Sequence, residues 1–253
     1  MEALAPELLP MLVSLEPHSN FVPVTNNLLA ELQRRGVSRD DLISVLQDLG
    51  KELPAGSLEL LHLARKGDVD VKVLSDANSV FINHILSGAK AGGLVHEVIT
   101  NQAAFERVNN MDDACGPAGP LLGGARKGAA GHRLVIAEHH DDARGAPEGP
   151  PQAPHNCPLC PRNLCKGLEV ARLQAKGEHR NIVFCGDGAN DVCAALSLGP
   201  GDHVLARRGH SLADYLQEAA TKPGMQQATA SVQLWSSHDE LCRLVGAILA
   251  GPS

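Results

Sequence analysis

The sequence predicts an α/β protein: a largely parallel sheet with helices on both faces, preceded by a small helical segment. Two observations carry this reading. Over residues 69–249, short apolar runs alternate with stretches of helical periodicity. Two of those runs, residues 69–74 and 182–185, end in polar turns, Ser75-Asp76 and Gly186-Asp187, each followed by a helix-like stretch. That is the strand, turn and helix unit from which parallel sheets are built. Residues 1–66, by contrast, read as helices joined by short turns.

The elements follow in order. Residues 26–35 predict a helix with Leu28, Leu29 and Leu32 on one side and Gly36 as its stop. Ser38 is the expected N-cap of the next, whose stripe is Leu42, Val45, Leu46 and Leu49 before Gly50. Residues 58–66 give a third helix, with Leu60, Leu61 and Ala64 facing inward. Residues 69–74 run apolar rather than alternate, as a buried strand does, and 77–88 carry Val80, Phe81, Ile82, Ile85 and Leu86 at helical spacing. A short strand is expected at 94–100, with Asn101 opening a loop. Residues 111–131 and 141–155, rich in Gly, Ala and Pro without periodicity, read as flexible insertions around a strand at 133–137. His139 and His140, just after that strand, read as solvated loop histidines. A helix at 168–174, a strand at 182–185, a helix at 192–198 and a strand at 202–206 lead to Arg207-Arg208. Helices at 211–220 and 238–249 flank an edge strand at 231–235.

Composition narrows the function. At 253 residues and 43% hydrophobic content, the chain can hold one core and a small cap. The formal net charge is −7, the 22 Lys and Arg are scattered and aromatics make up 2%, so neither a basic stripe nor a base-stacking platform points to nucleic acid. No apolar run approaches bilayer thickness, and no basic segment leads into an apolar one as in a secretion signal. Seven cysteines, an odd number, fit reduced thiols. A cytoplasmic protein is expected, an organelle being the open alternative.

The candidate chemistry sits in the turns. Strand ends in α/β sheets are where ligands bind, so Asp187 and Asp191 project into the natural site. Two carboxylates four residues apart, with glycines that let the backbone bend closely, suit a hard cation such as magnesium; an Asp-Gly turn with a helix cap is the plainer account. Ser75, at a strand end backed by a helix N-terminus, is placed either to hold a phosphoryl oxygen or simply to cap the helix. His155, Cys157, Cys160 and Cys165 have metal-like spacing and could supply a zinc site.

Three segments together, Leu74-Ser75-Asp76-Ala77-Asn78, Cys157 to Lys166, and Gly186-Asp187-Gly188-Ala189-Asn190-Asp191, resemble motifs of the haloacid-dehalogenase phosphatase superfamily. More narrowly, they are similar to its phosphoethanolamine/phosphocholine, pyridoxal-phosphate and plant thiamine-phosphate phosphatases. The resemblance spans roughly residues 20–248. It implies a Rossmann-like core at 67–253 under a helical cap at 1–66. It also implies magnesium at Asp187 and Asp191, phosphate at Ser75 and Lys166, and a substrate pocket lined by Asp76 and Asn78. Lys166 would bridge the nucleophile's carboxylate and the phosphate. The implied reaction is hydrolysis of a small phosphorylated metabolite or cofactor through an aspartyl-phosphate. The nucleophile of that reaction belongs to an Asp-x-Asp-x-Thr motif that this sequence lacks. Its single Asp-x-Asp, Asp68-Val69-Asp70, begins a strand and so lies about 20 Å from the catalytic edge. The expectation is a missing leading central strand, lost through an incomplete gene model or real truncation. A pseudophosphatase that binds a phosphorylated ligand without turnover is the alternative.

Overall fold

A computed structural model describes residues 20–108, 131–140 and 155–251. The expected insertions lie outside these residues except for Gly131 and His155. Helix α1 (Phe21–Arg34) begins earlier than periodicity suggests because Asn20 caps it, its side chain accepting from the Val22 amide at 3.0 Å. Pro23 fits in that first turn, where a missing N–H costs nothing. Helix α2 (Arg39–Lys51) opens with the expected Ser38 cap, made reciprocal by Asp41, and α3 (Ala55–Lys66) follows.

Strand β1 (Lys72–Asn78), helix α4 (Ser79–Gly88), strand β2 (Glu97–Val108) and strand β3 (Gly131–Ala137) make the first half of the body. The second half comprises α5 (Lys166–Lys176), β4 (Val183–Gly186), α6 (Val192–Ser197), β5 (His203–Arg207), α7 (Ser211–Thr221), β6 (Ser231–Trp235) and α8 (His238–Ala250). The α/β class is as expected, and β6 is an edge strand as expected.

Three features differ. The predicted loop at Asn101 is strand: β2 runs on to Val108 and pairs antiparallel with β3, Gln102 opposite Ala137 through Val108 opposite Gly131. The alternating burial of Gln102 to Glu106, with Ala103 and Phe105 packed inward, is the period-two signal of that extension. Secondly, the strands form two ladders, β1-β2-β3 and β4-β5-β6, rather than one sheet. The leading strand expected from the resemblance has no counterpart among the described residues. Thirdly, among the described residues β1 and β4, read as buried, are edge strands. None of Lys72 to Asp76 is fully buried and Cys185 is exposed, whereas Val204, Leu205 and Ala206 of β5, paired on both sides, are 0% exposed.

The N-terminal helices are built into the body. Helix α1 lies along the outer edge of β3 and completes its hydrogen bonds with side chains. Asn26 donates to the Ile136 carbonyl and accepts from its amide, both at 2.9 Å. Gln33 donates to the His132 carbonyl at 2.6 Å and accepts from the Leu134 amide at 3.2 Å. An edge strand is thereby covered rather than left as a template for another chain. Beneath it Leu28, Leu29, Leu32 and Leu42 pack with Leu134 and Ile136. Helix α3 packs on α8, and Leu60 joins the core of Leu205, Trp235, Leu241 and Val245.

Helices α2 and α4 cross in backbone contact. A Cβ on Gly88 would strike the Gln47 backbone, and one on Gly50 would strike the Ile85 carbonyl and the Ala89 amide. Gly88→Ala is therefore expected to lower the unfolding free energy by about 1–3 kcal/mol. Urea denaturation of the full chain checks this; an unchanged midpoint would show that the crossing can open without cost.

Candidate active site

The carboxyl ends of β1 and β4 carry the candidate residues. After Gly186 the chain turns through a short 3-10 segment, Ala189–Asp191, into α6. Asp191 folds back over this turn. Its Oδ2 accepts from the amides of Asp187 and Gly188, each at 2.9 Å, and its Oδ1 accepts from Lys166 Nζ at 2.7 Å. A Cβ on Gly186 would lie 2.8 Å from the Asp191 carboxyl carbon, so the glycine is needed for this close approach. Both ionic partners are buried, with side chains 8% and 7% exposed.

Asp187 is differently placed. Its carboxylate is 51% exposed, with Arg207 Nη1 and His210 Nδ1 each 3.9 Å from Oδ2. Arg207 itself lies over the Trp235 ring, 5.3 Å from the centroid. The donor set is oxygen only, as a hard cation requires. Asp187 offers a carboxylate free of close hydrogen bonds. Asp191 offers oxygens already engaged, and can contribute only through remaining lone pairs.

The β1 end joins the same turn. Asp76 Oδ2 accepts from Asn190 Nδ2 at 2.8 Å, which links the two ladders at their carboxyl ends. The register of β1 against β2 slips between Leu74 and Asn78. The Asp76 and Ala77 carbonyls, next to that slip, are taken up by Asn101 Nδ2, at 2.8 and 2.9 Å. Fully buried Asn101 also accepts from the His139 amide and from Asn163, binding three segments into one rim. Ser75 Oγ accepts from the Ala77 amide at 3.2 Å, within its own turn. Asn78 is the N-cap of α4, accepting from the Phe81 amide at 3.0 Å.

A cavity of about 560 Å³ opens beside this rim. Phe21, Val22, Leu28 and Leu29 of α1 give it an apolar wall, and Asp76, Asn78 and Asn190 give it a polar edge. Ser75, Lys166, Asp187 and Asp191 are not in its lining. The structure thus brings Lys166, Asp191 and the Asp187 backbone together, ties Asp76 to them through Asn190, and leaves Ser75 with no side-chain bond to that group.

Asp70, the sequence-level rival for the nucleophile, sits at the other end of β1 with Lys72 at 2.9 Å and His179 at 3.1 Å. Lys72 holds its carboxyl below the usual range. The histidines, expected to be solvated, are not. His140 is 2% exposed, accepts from the Cys165 amide at Nδ1 and turns Nε2 to Glu169 Oε1 at 3.3 Å; His139 Nε2 is 3.2 Å from the same oxygen. Sequence reasoning misses Glu169, takes Asn101 for a loop residue and gives Asn190 no role although it stands inside the Gly186–Asp191 motif; Glu169 and Asn101 are polar residues that periodicity treats as surface.

Burial alone would raise the Glu169 carboxyl, but the imidazoles of His139 and His140 set against it and the charge of Arg172 hold it at about 2, against 4.5 when free. A lowered carboxyl stabilises the fold fully above the unfolded value, and that contribution is lost as pH falls through the folded one. Glu169→Gln is expected to cost on the order of 2–3 kcal/mol near neutrality, with the difference from the parent chain closing as pH falls from about 4.5 towards 2. Denaturation curves across that window check this, a pH-independent difference being the contrary result.

The chain is similar to known phosphatases. Residues 6–112 and 126–249 match the family described as Putative Phosphatase. A thiamine phosphate phosphatase-like protein of Arabidopsis thaliana is 30% identical over 87% of this chain and 76% of its own length. The bovine pyridoxal phosphate phosphatase PHOSPHO2 is 28% identical over 81% of this chain and 72% of its own. Inorganic pyrophosphatase 2 of Arabidopsis thaliana is 24% identical over 88% and 68%. No solved structure gives a significant match. Since the family match takes in α1, the Ser75 turn, Lys166 and the Asp187–Asp191 turn alike, this chain belongs to that phosphatase family, with its haloacid-dehalogenase-like α/β fold.

Proposed function

We propose that this protein is a magnesium-dependent phosphomonoesterase acting on a small organic phosphate. The observation that carries the reading is the buried Lys166–Asp191 pair, at 2.7 Å, locked under a turn that presents Asp187 to solvent beside a cavity. Lys166 supplies a fixed positive charge for a phosphoryl oxygen. Asp187, with Asp191 behind it, would hold magnesium, which when bound supplies charge neutralisation and in-line orientation of the phosphate. Ser75 at the end of β1 would donate its hydroxyl to the phosphate. Asp76, steadied by Asn190, and Asn78 edge the cavity where the leaving group would lie.

The apolar wall from α1 favours an organic leaving group over a second phosphate. Phosphorylated ring cofactors, such as those in the names of the thiamine phosphate and pyridoxal phosphate relatives, suit it better than the pyrophosphate in the name of the third. The six described cysteines are free thiols, in keeping with a reducing, cytoplasmic location. Among the described residues no helix is long and apolar enough to cross a membrane.

A second reading, ligand binding without turnover, has one observation in its favour: the sequence holds no Asp-x-Asp-x-Thr to attack phosphorus. Incubating the chain with magnesium and pyridoxal phosphate, thiamine phosphate or pyrophosphate, and measuring both bound ligand and released phosphate, separates the two. Release at enzymic rates supports hydrolysis and obliges another carboxylate to act. Stoichiometric binding without release supports the second reading. In either case Asp187→Asn is expected to abolish the magnesium dependence of binding, and Lys166→Gln to weaken the phosphate ligand about 10- to 100-fold, the loss of about 1.5–3 kcal/mol for a charged hydrogen bond. Unchanged affinity in both variants would remove the site assignment.

A further inference from the structure

We propose that Cys157, Cys160, Cys165 and Cys193 form a structural zinc site that staples the Lys166 segment to the Asp191 turn. The four sulfurs lie within 4.8 Å of one another. Cys157 Sγ is 3.4 Å and Cys165 Sγ 3.8 Å from Cys193 Sγ. Four thiolates about 2.3 Å from a tetrahedral zinc stand about 3.8 Å apart along each edge. A disulfide would need about 2.05 Å, and all four are free. The spacing is that of ligands around an ion, not of a bond or of loosely packed thiols.

The ligand set differs from the one that sequence spacing suggests. His155 is not a member: its Nε2 lies 3.0 Å from the Pro161 carbonyl and its Nδ1 accepts from the Cys157 amide. Cys193, from the second position of α6, takes the fourth place. It gets there because α5 and α6 touch at Gly167, where a Cβ would collide with Cys193 Sγ and lie 2.7 Å from Ser197 Oγ. Backbone amides complete the surroundings, Gly167 toward the Cys193 sulfur and Leu168 toward the Cys165 sulfur. Such N–H donors, at the positive end of α5, stabilise metal-bound thiolates. With Cys160 and Cys165 buried and four sulfur ligands, the site is closed, as structural rather than catalytic zinc sites are. Each thiol that ligates releases its proton to solvent.

The position gives the site its purpose. Cys165 directly precedes Lys166 and Cys193 follows Asp191 by two residues, so the ion would fix both ends of the Lys166–Asp191 pair. This does not depend on the reaction or the substrate.

The test is elemental analysis of the full chain purified without chelator, together with replacement of the metal by cobalt(II). About one zinc per chain and the sulfur-to-cobalt charge-transfer absorption of a tetrahedral thiolate site are expected. Cys193→Ser is expected to lose most of that zinc and to shift or abolish the cobalt spectrum. Cys242→Ser, outside the cluster, is expected to keep both. The cobalt spectrum of the parent chain needs no variant, so a Cys193→Ser chain that fails to fold leaves the proposal testable. A parent chain that holds no zinc and shows no thiolate–cobalt absorption on titration overturns the site. Full zinc with an unaltered cobalt spectrum in Cys193→Ser overturns the ligand set.

Discussion

The structure depends on the carboxylate of Asp191. A buried carboxylate is costly unless each oxygen is matched, and this one is matched on both sides, by an ammonium at Oδ1 and by two amides at Oδ2. The two matches serve different ends. The amide pair closes the turn after β4 into a single shape, which leaves Asp187 outward and Asn190 aimed at Asp76. The lysine match draws the start of α5 against that turn. Replacing either partner would strand a buried charge, so the turn, the helix start and the β1 end are fixed together or not at all.

The second constraint is the break between the ladders. Among the described residues β1 and β4 each pair on one edge only, and their side chains are correspondingly less buried than those of β5. What links the ladders at the rim is side-chain chemistry, Asn190 to Asp76, while Asn101 of β2 holds the Asp76 and Ala77 carbonyls in place within the first ladder. Leu74 packs against the core beneath α5, α6 and α7, so the apolar layer is continuous where the hydrogen-bonded one is not. Polar residues at the rim thus carry positional precision that a continuous sheet would otherwise supply.

Much of this was legible in the sequence, for physical reasons that can be named. Capping and stripe signals located α2 and α3, and an apolar run marked part of each described strand but not the polar ends of β1 and β2, because these patterns report burial by neighbours close in the chain. Asn101 reads as the start of a loop because a polar residue after an apolar run looks like an end; its burial is set by carbonyls on β1 and by Asn163, far along the chain. His139 and His140 read as solvated in the sequence because their partner, Glu169, lies on α5. Cys193 stands in the same run as Asp187 and Asp191, yet its kinship with Cys165 follows from the contact at Gly167, which no spacing rule contains.

Helix α1 joins these threads. Its inner residues build the apolar wall of the cavity, while Asn26 and Gln33 bond the backbone of β3 at four points along the strand. A wall held by backbone hydrogen bonds at both ends of a strand cannot swing away as a hinged lid does without exposing those groups, each worth about 1 kcal/mol net and more when left unpaired. If the cavity takes the leaving group as proposed, its selectivity would be set by the shape of a fixed surface, Phe21 and Val22 near one end and Leu28 and Leu29 along it, rather than by closure over a bound ligand. Under the proposed function, discrimination among substrates would rest on how well an organic group fills that surface while its phosphate stays at the rim. A fixed hydrophobic wall of this kind distinguishes ligands by only about 1–3 kcal/mol per methylene gained or lost.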